Sequence, residues 1–196
     1  MLEPLAGHEH VILAAQEFPE AGSAKFKALQ AVMTRKDLVF VEVGDVGFIH
    51  SASLQVQDHK ESPLGTSAAA VIAEINAKFS ELPELDLQDD DRKRLETAFK
   101  KTIIINAEQN LRFINVHVKE LQTPNATRFL ARYLRALADD SRDNVVLSDT
   151  NIPNASLISF FEEGCKECGL QMLTRPGLIT TRKQRSELHG QLPDKN

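Results

Sequence analysis

Short apolar runs that stop at a polar residue constrain this chain more than any other feature. His10-Val11-Ile12-Leu13-Ala14-Ala15-Gln16 stops at Glu17. Leu111-Arg112-Phe113-Ile114-Asn115-Val116 stops at His117. Asn144-Val145-Val146-Leu147-Ser148 stops at Asp149, with Asn151 two residues further on. Runs this short, partly β-branched and bounded by turn formers, read as buried strands.

Helical patterns separate the strands. Ser23 is a good N-cap, and Ala24 to Arg35 reads as a helix with Phe26, Leu29, Met33 and Val32 toward its apolar side. Leu38 to Val43 and Gly47 to His50 read as a hairpin around Gly44-Asp45. Gln57 to Gly65 is polar, contains a proline and reads as a loop. Thr66 to Ser80 and Gln88 to Lys101 read as two helices, with Asp89-Asp90-Asp91 as a solvated acidic start to the second. Thr102 to Asn106 and Leu111 to Val118 form another hairpin by length. Pro124 to Asp139 repeats Phe129, Leu130, Tyr133, Leu134 and Leu137 at helical spacing, and Ala155 to Gly169 reads as a last helix. Leu170 to Leu173 reads as a short strand, and the tail from Thr180 is basic and polar.

The fold class this predicts is α/β in the α+β sense. It is a layered β-sandwich of mostly antiparallel strands with flanking helices, and it is incomplete, because such folds use more strands than are found here. One domain over residues 1–196 is expected, with a helical insertion near 57–101.

Charge and cysteine content narrow the function. A net charge of −5 argues against a broad basic surface that grips nucleic acid, but not against a phosphate substrate in a site where a cation reverses the local field. No apolar run has the length of a membrane span and no signal segment opens the chain, so the cytoplasm is expected, with a secreted effector left open. Cys165 and Cys168 form a C-x-x-C pair with no second ligand pair and no redox context. They read as helix residues. His8, Glu9 and His10 read as surface residues rather than a metal cluster.

An acid, an imidazole, a second acid and an amide at strand ends suit hydrolysis of a phosphate ester. The acid would hold a divalent cation, and the other groups would orient water and stabilise developing charge. In this order the segments resemble the endonuclease/exonuclease/phosphatase superfamily, the deoxyribonuclease I-like fold. Val11 to Glu17 is similar to its strand ending in Gln-Glu, Phe113 to Val118 to its Asn-x-His strand, and Val145 to Asn151 to its Gly-Asp-Phe-Asn strand. Val46 to Ser51 resembles the strand that follows its first helix.

The resemblance implies a magnesium- or manganese-dependent hydrolase of the phosphodiesterase, nuclease or phosphatase type. Glu17 would ligate the metal, Asp149 would orient or deprotonate the attacking water, Asn151 would help hold water and phosphate, and His117 would bond the phosphoryl oxygens. The substrate would be a phosphate ester, either nucleic acid or a phosphorylated small molecule or lipid headgroup. The chain departs from the family at both ends. It has no opening strand with an Asn and no closing strand with an Asp-His pair, since Asp58-His59 lies too early. The alternative is therefore a truncated, inactive relative that acts as a binding or effector-like protein.

Overall fold

A computed structural model of the chain describes residues 11–171 except Phe18, Glu20, Ala21, Lys60, Glu61, Gln109 and Thr150, and describes Asp58, His59 and Asp149 by backbone alone. His8, Glu9, His10, residues 172–173 and the tail from Thr180 lie outside the described residues.

The elements run β1 (Ile12–Gln16), α1 (Ala24–Arg35), β2 (Leu38–Val43), β3 (Val46–Ser51), β4 (Val56–His59), α2 (Ala68–Lys78), α3 (Asp89–Lys100), β5 (Thr102–Ala107), β6 (Leu111–His117), α4 (Pro124–Leu137), β7 (Asp143–Asp149) and α5 (Ala155–Glu167). The α+β sandwich is as expected. One sheet has the order β1-β3-β2 and the other β4-β5-β6-β7. Every pairing is antiparallel except β6 with β7, which are parallel and joined through α4. That crossover is what a parallel pair requires.

Side chains alternate across each strand, so the four-stranded sheet has two buried faces. Ile104, Ile114 and Val116 face helices α2 to α5 in the larger core, with Phe99, Phe129 and Tyr133. Ile103 and Ile105 face the other sheet in a smaller core, with Val41, Val46 and Phe48. Helix α1 lies on the outer side of the small sheet, where Phe26 meets Phe40 at 6.2 Å between ring centroids. The Phe40 ring also explains Gly47. A Cβ there would stand 2.6 Å from that ring and 2.6 Å from the Val41 carbonyl.

Four local readings need correction. Residues 56–59 form β4, an edge strand paired with β5, although their composition reads as loop. β4 stands at the end of its sheet and pairs with β5 alone among the described strands. Leu170 and Gln171 carry no strand. Asp91 is not solvated: at 1% exposure it accepts hydrogen bonds from the Thr123 hydroxyl at 2.5 Å and the Gln122 amide at 3.2 Å. It ties α3 to the start of α4, where Thr123 itself caps the helix by accepting from the Ala126 amide. Val32 points outward and is 40% exposed, and Met33 takes the buried place on α1.

Helices α2 and α3 lie within residues 57–101, and their Val71, Ile75, Leu95 and Phe99 are part of the larger core.

Candidate functional site

Strand ends gather at one edge of the sandwich. The parallel register sets His117 beside Asp149, the last residues of β6 and β7. The end of β1 reaches the same edge through its neighbouring residue: Gln16 Nε2 donates to Asn115 Oδ1 at 2.9 Å and to the Val116 carbonyl at 3.3 Å. Glu17 follows Gln16 and is exposed. The turn between β2 and β3 also lies here, since Val46 pairs with Gln16.

Asn115 makes this convergence possible. It is fully buried between the sheets, and its amide donates to the Gly47 carbonyl at 2.9 Å and the Ala15 carbonyl at 3.1 Å. With Gln16 as donor to its oxygen, one side chain links β1, β3 and β6. A buried amide must find such partners or lose about 1–3 kcal/mol per unmet group. The satisfied network therefore fixes how the two sheets sit at this end.

Two further residues complete the edge. Gly44, at φ 63°, opens the two-residue turn in the place where a glycine eases the backbone, and Asp45 follows it. Asp45 Oδ2 accepts a hydrogen bond from Lys101 Nζ at 2.6 Å and lies 3.4 Å from His117 Nδ1. Burial raises the Asp45 carboxyl, but the Lys101 hydrogen bond and charge, then the His117 charge, outweigh it and hold the group below its ordinary value of 3.8. Asp45 Oδ1 and His117 Nδ1 are both buried without a hydrogen-bond partner, so the contact with His117 is electrostatic rather than directional.

Two of the four expected site residues have left-handed backbones. Glu17 has φ 55° and Asn151 φ 42°. Asn adopts this conformation readily, whereas for Glu it is uncommon. The strand ends at Asp149, so strand alternation does not carry on to Asn151. Its amide turns back and donates to the Val118 carbonyl at 2.9 Å.

The structure thus brings the ends of β1, β6 and β7 to one edge: Gln16 reaches Asn115 and Val116, and His117 stands in register with the backbone of Asp149. Asp45, Lys101 and Asn115 were missed as partners. Only the hairpin at Gly44-Asp45 was visible in the sequence, and nothing local says that its tip meets Lys101, 56 residues away.

Among the described residues no three His, Cys, Asp or Glu side chains group to hold a metal. The edge does offer hard oxygen donors, with the Glu17 carboxylate open to solvent and Asp45 Oδ1 unpartnered. Magnesium takes one or two carboxylates and keeps several waters, so Glu17 fits that ion in a mostly hydrated state.

The C-x-x-C pair fits its quiet reading. Cys165 and Cys168 are buried free thiols at the end of α5, and burial pushes Cys165 up to about 12. Comparison with protein-family models, curated proteins and solved structures returns no match. No helix among the described residues is long and apolar enough to cross a membrane.

Proposed function

We propose that the strand-end edge is a metal-assisted site for hydrolysis of phosphate esters. The observation that carries this reading is the parallel register that sets His117 beside Asp149, with the β1 end drawn in by Gln16 and Asn115. Glu17 would hold magnesium or manganese, which when bound neutralises charge on a phosphoryl oxygen. The left-handed backbone at Glu17 supports the reading, because strain of this kind collects at working sites.

The chain's own groups divide the remaining tasks. Asp149 orients the attacking water and takes its proton. His117 faces Asp45 with Nδ1 at 3.4 Å, and with both ring nitrogens protonated its Nε2 would donate to the phosphoryl oxygen as charge builds. Asp45, itself fixed by Lys101, would stabilise positive charge on the imidazole. Asn151 holds the segment after β6 by donating its side-chain amide to the Val118 carbonyl. Phosphate monoesters and diesters both suit this arrangement.

A second reading, a non-catalytic binding protein on the same scaffold, is favoured by the Asn151 amide being occupied by Val118 rather than free for phosphate. Calorimetry with magnesium alone, and hydrolysis of bis(p-nitrophenyl) phosphate, separate the two. Weak magnesium binding should be lost in Glu17→Gln and kept in Asp149→Asn, and Asp149→Asn should suppress whatever slow hydrolysis the wild type shows. Binding without hydrolysis in the wild type favours the second reading. Equal magnesium binding in wild type and Glu17→Gln removes the metal assignment.

A further inference from the structure

Helix α1 carries a charge opposite in sign to the chain as a whole. The protein has a net charge of −5, yet Lys25, Lys27, Arg35 and the capping Lys36 stand on α1 with no Asp or Glu between Ala24 and Lys36. All four cations are exposed, and none takes part in an ion pair with a described carboxylate.

Their arrangement forms a face. Phe26, Leu29 and Met33 form the inward stripe of the helix, and Met33 is 3% exposed. Lys25, Ala28, Val32 and Arg35 follow one another at spacings of three, four and three, which places them on one outward stripe. Val32 sits among these cations at 40% exposure, and only one other large apolar side chain among the described residues, Val39, is comparably exposed. The helix lies against the outer side of the small sheet, so about 18 Å of its length faces outward.

We propose that this face of α1 docks on a bilayer that contains anionic phospholipid. Cations attract the negative headgroups, and each contributes about fivefold in binding when it reaches the surface. Val32 enters the boundary between headgroups and acyl chains, where an apolar side chain loses contact with water. A phosphodiester chain would use the cations but would gain nothing from an exposed valine between them, so the bilayer is the better match. The proposal does not depend on the strand-end site.

The test is vesicle co-sedimentation of the full chain, with phosphatidylcholine alone and with an equimolar phosphatidylcholine–phosphatidylserine mixture. Wild type should bind the mixed vesicles, weaken steeply with added salt, and leave pure phosphatidylcholine in the supernatant. Lys25→Gln with Arg35→Gln should lower the affinity about 25-fold. Val32→Asn, at unchanged charge, should lower it again, and Lys93→Gln on α3 should leave it unchanged. Circular dichroism establishes that each variant is folded. Equal binding to both vesicle types, or no effect of the α1 substitutions, overturns the proposal. So does absence of vesicle binding together with capture of a single-stranded oligonucleotide that the same variants lose.

Discussion

The two faces of the four-stranded sheet are buried by different means. On the helix side, Ile104, Ile114 and Val116 meet a continuous apolar layer from four helices. On the sheet side, five buried apolar residues form the core, and polar groups do much of the aligning: Asn115 with Gln16, and Asp45 with Lys101 and His117. Apolar packing is insensitive to direction and supplies most of the stability. Hydrogen bonds are directional and supply less net energy, but they set register. The contrast suggests a division of labour, with one face holding the fold and the other aiming the strand ends.

The sharpest way to break this comparison is to remove one phenylalanine from each face. Phe129→Ala, in the helix-side core, should cost about 3–5 kcal/mol in urea unfolding. Phe48→Ala, between the sheets, should fall at the low end of that range, since fewer buried apolar residues close around it. Equal costs in a single shared transition would show that the two faces are one cooperative unit.

Asn115→Ala should come next, at about 2–4 kcal/mol, because it leaves the carbonyls of Ala15 and Gly47 and the amide of Gln16 without partners. Hydrogen exchange should quicken in β1 and β3 and stay slow in α4. Uniform quickening would count against a separate aiming role.

Glu17→Gly should be close to neutral or stabilising, by up to about 1 kcal/mol, because glycine accepts φ 55° without strain. A destabilisation well beyond that, in thermal unfolding, would mean that the side chain supports the fold rather than a site.

The smallest effect is a pH dependence. The Asp45 carboxyl lies lower in the folded chain than in the unfolded one. Its contribution is therefore fully present above the ordinary carboxylate value and is lost as pH falls through the depressed value. Lys101→Gln should cost at most about 1 kcal/mol at neutral pH, and the gap from wild type should narrow in acid below about pH 4. A gap that stays constant with pH would assign the loss to packing of the lysine stem.

Much of the architecture was legible in the chain itself. Helices α1 to α5 and strands β1, β2, β3, β5, β6 and β7 follow from periodicity, propensity, caps and turn residues, which act between near neighbours. β4 was hidden because a polar edge strand has no alternation to reveal it, and its pairing comes from β5, more than 40 residues later. Asp91 read as solvated because the partners that bury it, Gln122 and Thr123, lie about 30 residues on.

For the site, sequence alone determined which residues stand at strand ends: Glu17, His117, Asp149 and, just beyond, Asn151. Position along a strand is a local property, written in where an apolar run stops. Tertiary structure decided what those ends meet. It turned the Asn151 amide to Val118, set Asp45 between Lys101 and His117, and placed Asn115 between the sheets. Those contacts join residues 33 to 100 positions apart, and only the stacking of one sheet on another, or the pairing of strands through a helix, brings such groups within hydrogen-bond reach.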